Sequence, residues 1–219
     1  MQKTVSIFRT SMFHIAGFID YWTKGRVKPA HITAVSLLGH IPVAWALITC
    51  RPVLAAVLLA IFSALDALDG AMAKVQNSAS RTGMYFDAVS DRLKEVILYT
   101  ALGVYALKHL EQQEVWLIIA LAGTSLLVSY TKAKGEMAIS SGNSDVQKLN
   151  RKFGVGIASY EIRMVVIIVG LLFGILPFLL PLLVAANLIT IALRFIVVSR
   201  ELYLLDEIDK RKKTKKAKK

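Results

Sequence analysis

The sequence predicts an all-α integral membrane protein in which six transmembrane helices follow an N-terminal interfacial amphipathic helix. Of its 219 residues, 55% are hydrophobic, and the mean hydropathy of +0.55 exceeds that of ordinary soluble domains. Long apolar runs alternate with short polar or proline-containing connections. The cations behind the net charge of +12 gather at the ends of these runs and in the tail. This pattern favours an anionic bilayer surface as the partner and argues against nucleic acid.

The N-terminal helix covers residues 1–23, where apolar side chains recur at helical spacing between polar ones. Gly25 and Pro29 interrupt it. Thr33 is suited to cap the next helix, which is the first predicted span at residues 34–49.

The remaining spans follow from the apolar runs and the breaks between them. A polar, serine-rich loop at residues 74–82 separates the second span from the third, which opens at Gly83. Pro177 and Pro181 are expected to bracket a tight turn before the last span. The predicted spans are residues 53–73, 83–107, 115–130 and 153–176 and a sixth that ends near residue 198, with a polar loop at residues 137–152.

The distribution of Lys and Arg orients the chain. One side of the predicted bundle receives only Arg51 and Lys108, whereas the termini and the other connections carry most of the cations. By the positive-inside rule, both termini and the ends of the helices beside residues 74–82 lie in the cytoplasm, which suits a multi-pass plasma-membrane protein. The chain then divides into the interfacial helix 1–23, a six-helix transmembrane domain 24–200 and a polybasic, partly disordered cytoplasmic tail 201–219.

Four aspartates stand in or beside apolar sequence, as the pairs Asp66 with Asp69 and Asp87 with Asp91. Residues three or four apart share one helical face, so each pair projects as a carboxylate cluster. An ionised carboxylate at bilayer depth is costly and marks a functional site by default, although Asp87 alone would serve equally well as a cap or a solvated loop carboxylate. Carboxylate oxygens suit hard divalent cations. The four together predict a site for two Mg²⁺ or Mn²⁺ ions, an arrangement that stabilises displacement at phosphorus.

Small residues accompany the aspartates, in the order DALDGAMAK followed by GMYFDAVSD. This pattern resembles the signature of the CDP-alcohol phosphotransferases, membrane enzymes of phospholipid synthesis, whose usual form is D-x2-D-G-x2-A-R and then G-x3-D-x3-D. The chain carries Lys74 where arginine is usual, which keeps the cation but loses its bidentate fork. The segment KPAHIT, from Lys28 to Thr33, is similar to the family's T-P-N-x-L-T element.

The resemblance implies that an alcohol hydroxyl attacks the β-phosphorus of a CDP-linked lipid and that CMP leaves. It implies metal binding by all four aspartates, with Asp91 also acting as the general base. It also implies a homodimer. The positions that match the family's nucleotide site are Gly70, Ala73, Lys74 and Gly83, with Pro29 and Thr33 from the KPAHIT segment.

The acceptor alcohol is indicated by four cations, Lys132, Lys134, Arg163 and Arg194. A buried arginine requires an anionic partner, which is either an aspartate, Glu161, or a phosphate on the acceptor. The stretch SYTKAKGE is similar to the end of the fourth helix in family members that use inositol phosphate, with Lys134 and Arg194 at positions resembling their acceptor-phosphate site. Of the E-R-x-E-R usual in those members, SYEIR keeps only Arg163. Inositol phosphate is therefore expected first and glycerol 3-phosphate next, with another polyol phosphate still open.

Two other classes of protein compete with a transferase. A divalent-cation transporter also has six helices and paired carboxylates, but it requires a site that reaches both sides of the membrane. A structural scaffold leaves the cost of four aspartates unexplained. Glu95 is expected to pair with Arg92 or Lys94 rather than to orient Asp91.

Overall fold

The computed structural model describes residues 2–140 and 156–217, and the side chains of residues 10–138 and 156–207. The described residues form helices joined by short connections, with no strand among them. Four helices or parts of helices are long and apolar enough to cross a membrane: Pro29–Ile48, Pro52–Val75, Gln112–Ala138 and Leu176–Glu207. The predicted all-α membrane fold is therefore confirmed. In chain order the helices are α1 Gln2–Thr23, α2 Pro29–Ile48, α3 Pro52–Val75, α4 Arg81–His109, α5 Gln112–Ser140, α6 Tyr160–Phe173 and α7 Leu176–Ala217.

The start of α2 differs from the prediction. Lys28 is the N-cap and Pro29 is the first helical residue, a position that tolerates proline because the missing N–H would be unsatisfied there anyway. Thr33 therefore lies inside the helix, and the prediction that it caps a span beginning at residue 34 is wrong. Its hydroxyl instead lies within hydrogen-bond distance of the Pro29 carbonyl and of Asp69.

The connection between α3 and α4 is shorter than predicted. α3 ends at Val75 and α4 begins at Arg81. Ser80 caps α4, because its hydroxyl accepts the backbone N–H of Gly83 at 3.0 Å. Gly83 is thus in the first turn, two residues after the start of the helix, and the acidic ends of α3 and α4 face each other across residues 76–80.

The later helices depart most from the sequence-based boundaries. α5 continues to Ser140 instead of ending at residue 130, and α7 continues to Ala217 instead of ending near residue 198. α6 ends at Phe173 because Gly174 adopts a left-handed conformation with φ of 68°. Pro177 and Pro181 lie within α7. The turn that they were expected to bracket lies before them instead, at residues 174–175. Residues 141–155, which include most of the predicted polar loop and the start of the predicted fifth span, lie outside the described residues.

Helix packing brings the acidic segments to the centre of the molecule. α2 contacts α3 and α4, α5 contacts α4 and α7, and α6 contacts α3 and α7. A large apolar core includes Leu47, Leu59 and Leu102. A smaller cluster around Ala16 and Met72 fastens α1 to the acidic end of α3.

Candidate active site

A cavity of about 160 Å³ opens between the start of α2, the end of α3 and the start of α4. Asp69 and Asp87 both line it, from α3 and α4 respectively. Most of the remaining wall is formed by small or apolar residues. Five of the six residues predicted to bind the nucleotide line the same cavity: Pro29, Thr33, Gly70, Ala73 and Gly83.

Gly70 leaves open space in this wall. A β-carbon built on Gly70 would meet nothing within 4 Å apart from its own chain neighbours and the helix backbone. The absence of a side chain thus widens the cavity next to Asp69. Lys74, the sixth predicted nucleotide residue, is exposed near the end of α3, one residue beyond Ala73.

Asp66 and Asp91 converge on a buried lysine that the sequence analysis did not assign to the site. Lys94 is 1% exposed, and its Nζ lies 2.5 Å from Asp66 Oδ1 and 2.9 Å from Asp91 Oδ1. Its spacing from Asp91 is the signal that was available, because residues three apart share a helical face. The ammonium group partly compensates two carboxylates that would otherwise repel each other.

Besides Lys94, two hydroxyl groups bind the Asp66 carboxylate and fix its orientation. Ser36 on α2 donates to Asp66 Oδ1 at 2.7 Å, and Tyr160 at the start of α6 donates to Oδ2 at 3.1 Å. Asp69 is held in a similar way, because the Thr33 hydroxyl donates to its Oδ2 at 2.6 Å. Thr33 therefore positions a carboxylate as well as lining the cavity. Sequence reasoning missed Ser36 and Tyr160, which come from helices distant in the chain.

The donor chemistry of this region fits a divalent metal ion only in part. Within the described side chains, no three His, Cys, Asp or Glu residues are grouped closely enough to hold an ion. Asp69 and Asp87 nevertheless open onto one cavity and offer hard oxygen ligands. The space between Asp66 and Asp91 is bridged by Lys94. The four carboxylates thus separate into a pair on the cavity and a pair at the lysine.

A second charged cluster is centred on Glu95, which follows Lys94 in α4 and is fully buried. Glu95 pairs with Arg92 at 2.5 Å, as predicted, and also with Arg163 from α6. Arg163 further donates to the Ala158 carbonyl, so its partner is Glu95 and not Glu161, which is exposed. Arg92 also donates to the Ser129 hydroxyl of α5. The cluster therefore ties α4 to α5 and α6.

The other cations predicted to bind the acceptor lie on α5 and α7, and among their described contacts only that of Arg194 joins the two helices. Arg194 is 7% exposed and donates to the Val128 carbonyl of α5. Lys134 places its Nζ over the Tyr130 ring, 5.6 Å from the centroid, in a cation–π contact. Lys132 is 45% exposed and forms a loose 3.7 Å ion pair with Glu136.

The fold and the site define a helical membrane protein with an acidic centre that opens onto a cavity lined by small residues. Residues 26–196 match the model of the CDP-alcohol phosphatidyltransferase family, and the chain belongs to this family. It is therefore an enzyme, a phosphotransferase of phospholipid synthesis in a family that depends on divalent metal. Family membership favours the predicted transferase over the divalent-cation transporter.

Curated relatives cover different shares of the chain. The archaetidylinositol phosphate synthase of Pyrococcus horikoshii is 27% identical over 148 residues, which are 68% of this chain and 71% of that protein. The phosphatidylinositol phosphate synthase of Corynebacterium glutamicum is 32% identical over 116 residues, which are 52% of this chain and 53% of that protein.

Solved structures share the fold. The phosphatidylinositol phosphate synthase of Mycobacterium tuberculosis with CDP-DAG bound superposes with a TM-score of 0.67 at 22% identity, over 85% of this chain and 92% of that one. The same enzyme in complex with manganese and citrate gives a TM-score of 0.68 at 23% identity, over 85% of this chain and 88% of that one.

Proposed function

We propose that the protein transfers a phosphatidyl-type group from a CDP-linked lipid to inositol phosphate and releases CMP. The observation that carries the proposal is the cavity in which Asp69 and Asp87 meet the small residues of the family signature. Similarity to relatives named for inositol phosphate products supports this choice of acceptor. Glycerol 3-phosphate remains the second candidate acceptor.

The cavity is suited to the nucleotide end of the lipid. Gly70, Ala73 and Gly83 keep its wall free of long side chains, so a cytidine diphosphate group can approach the helix backbone. Pro29 and Thr33 close the cavity from α2, and Lys74 lies exposed near its edge, where it is available to a phosphate. A long acyl chain then extends from the site into the bilayer.

Asp91 is the proposed general base. Lys94 holds one of its oxygens at 2.9 Å and so restricts the orientation of the carboxylate. A fixed carboxylate near the acceptor hydroxyl removes its proton as the oxygen attacks phosphorus. A divalent ion held by the aspartates, Mg²⁺ or Mn²⁺, would neutralise charge on the pyrophosphate and on the leaving CMP. The displacement breaks the bond between the β-phosphorus and the oxygen that bridges it to CMP, and CMP carries that electron pair away.

The acceptor phosphate is assigned to the cations of α5 and α7. Lys132 and Lys134 are exposed on α5, and Arg194 of α7 reaches the α5 backbone at Val128. Ammonium and guanidinium groups together suit a phosphate. Arg163 is included as in the sequence prediction, but to reach a phosphate it must share its guanidinium with Glu95.

The membrane arrangement is part of the same proposal. α4 and α6 complete six spans, because the charges of α4 are compensated inside the bundle and α6 packs between two apolar helices. Both termini and the active site face the cytoplasm, α1 lies at the interface, and two chains form a homodimer. Cross-linking in native membranes tests the dimer, and a monomer at all protein concentrations would contradict it.

The reaction is tested by CMP release from the purified full-length protein in nanodiscs. CDP-diacylglycerol and an ether-linked CDP-lipid are each combined with inositol phosphate, glycerol 3-phosphate or free inositol in the presence of Mn²⁺. We expect CMP release only with a phosphorylated acceptor, and the highest kcat/KM with inositol phosphate. Folded protein that releases no CMP with any acceptor would overturn the reaction. A higher kcat/KM with glycerol 3-phosphate would overturn the assigned acceptor alone.

A further inference from the structure

Lys94 lies between two of the four carboxylates that a two-ion centre would use. Two ions in such centres lie about 3.5–4 Å apart and share or flank carboxylates. Here the Lys94 ammonium lies 2.5 Å from Asp66 and 2.9 Å from Asp91, one carboxylate from each of the two pairs. A cation of single charge thus already joins α3 to α4.

The protein already satisfies most of the capacity of Asp66. A carboxylate has about four lone-pair sites. Lys94 and Ser36 use Oδ1 and Tyr160 uses Oδ2. A metal ion that bound Asp66 would compete with these three donors, which come from three different helices.

Charge repulsion by Lys94 also disfavours a metal ion bound to Asp66 and Asp91. A divalent ion bound to the same oxygens would lie within about 5 Å of Nζ, from a metal–oxygen distance of about 2.1 Å added to the longer lysine contact of 2.9 Å. At this distance, and with the lysine side chain itself buried, the repulsion between the two cations is less screened than in open water. Asp69 and Asp87 line the cavity instead.

We infer that Lys94 replaces the second metal ion and that this centre works with one divalent ion, held by Asp69 and Asp87, which line the cavity. The inference rests on the proposed function, because it assigns the cations of that same site. Lys94 acts as a positioning residue: it keeps Asp66 and Asp91 in place without ligating the ion or touching the reacting phosphorus. Asp66 then anchors Lys94 and is not a metal ligand.

The test counts ions and does not depend on turnover. Mn²⁺ binding to the purified full-length protein is measured by calorimetry and by electron paramagnetic resonance, for the wild type, Lys94→Met and Lys94→Arg. Lys108→Met is the matched control, because Lys108 is an exposed lysine at the far end of the same helix. We expect one Mn²⁺ per wild-type chain with the six-line signal of an isolated ion. Lys94→Met should bind two ions with a broadened, spin-coupled signal, whereas Lys94→Arg and Lys108→Met should bind one.

Two ions per wild-type chain would overturn the inference and would mean that metal displaces the lysine side chain. A folded Lys94→Met variant that still binds one ion would overturn it as well. Should this variant fail to fold, the wild-type ion count and the shape of its signal decide the question alone. CMP release by a wild-type enzyme with two ions would leave the proposed function standing. A wild-type protein that binds one ion and releases no CMP would instead overturn the proposed function.

Discussion

Gly70 follows Asp69 directly, lines the cavity and leaves room there for a β-carbon. We expect Gly70→Ala to weaken binding of a CDP-lipid by about 10–200-fold, the usual effect of one misplaced carbon in a fitted site. Stability should not fall, because alanine favours a helix over glycine by about 0.5–1 kcal/mol. The two quantities are the Kd from calorimetry and the thermal midpoint, Tm.

The matched control for this change is Gly123→Ala. Gly123 is exposed in the middle of α5, and a β-carbon there also meets nothing within 4 Å. Gly123→Ala should likewise not lower the Tm, and it should leave the Kd for the CDP-lipid unchanged. Equal affinities of the two variants would mean that the lipid does not occupy the space beside Gly70.

Asp91 and Asp69 are expected to contribute differently to the reaction. Asparagine at Asp91 keeps the size of the side chain and can leave an oxygen beside the Lys94 ammonium, but it cannot take a proton. Asp91→Asn should lower kcat by about 10²–10⁴-fold, the usual contribution of a general base, and affect CDP-lipid binding far less. Asp69→Asn should lower both kcat and the affinity for CDP-lipid, because Asp69 lines the cavity. Equal losses of CDP-lipid affinity in the two variants would refute this division of roles.

At the level of single residues, the sequence singles out the four aspartates but not the residues that contact them. Carboxylates in apolar sequence are conspicuous because burying them is costly. The partners of Asp66 are ordinary residues in sequence, and Tyr160 is 94 positions away. The sequence left Arg92 and Lys94 open as partners of Glu95, because both lie within three positions of it; Arg92 pairs with Glu95, and Lys94 pairs with Asp66 and Asp91 instead. Only the packing of α2, α4 and α6 around α3 distinguishes the two pairings.

Among the helices, the Glu95 cluster is a polar connection between α4 and the helices α5 and α6. Glu95→Gln removes the carboxylate that compensates Arg92 and Arg163, and one of these, Arg163, is 1% exposed. Breaking a buried pair in this way costs about 3–5 kcal/mol. We expect a loss of that size in the free energy of unfolding, measured by denaturant titration in detergent.

The control for this change is Glu136→Gln, which removes an ion pair of 3.7 Å between partly exposed side chains on α5. Pairs of this kind contribute about 0–1 kcal/mol, so unfolding should change little. Similar losses in both variants would show that the Glu95 cluster adds no more than a surface pair. Normal CDP-lipid binding in detergent-stable Glu95→Gln protein would place the cluster outside the nucleotide site.

The helix boundaries show which signals in the sequence are reliable. The predictions ended α5 and α7 where the apolar runs end, but both helices continue into charged sequence. Lys, Glu, Ala and Leu are good helix formers, so a change of polarity reports where a helix leaves the bilayer and not where it ends. Gly174, which needs a left-handed conformation, does end α6. Pro177 does not break α7, because the first turn needs no donor from proline, whereas Pro181 lies inside the helix, which continues past it.

For the molecule as a whole, composition was sufficient to predict the class of fold but not the number of spans. Four candidate spans are apolar over a long window, whereas α4 carries the charges of the site and α6 has only 14 residues. Charges paired inside a bundle lower the apparent hydropathy of a helix without excluding it from the membrane. Whether α4 crosses the bilayer, and in which direction, is therefore tested by labelling.

The proposed six spans predict that the α4–α5 connection and the α3–α4 connection lie on opposite sides of the membrane. Cys50 is the only cysteine, so Cys50→Ala provides a background for single reporters. Glu111→Cys tests the first connection, and Thr82→Cys, at the start of α4, tests the second; both residues are exposed. In intact cells, a membrane-impermeant maleimide should label Glu111→Cys at once and Thr82→Cys only after permeabilisation. Labelling of both sites in intact cells would mean that α4 does not cross the bilayer. The reverse order of labelling would place the active site on the outer face, where the bias of Lys and Arg argues against it.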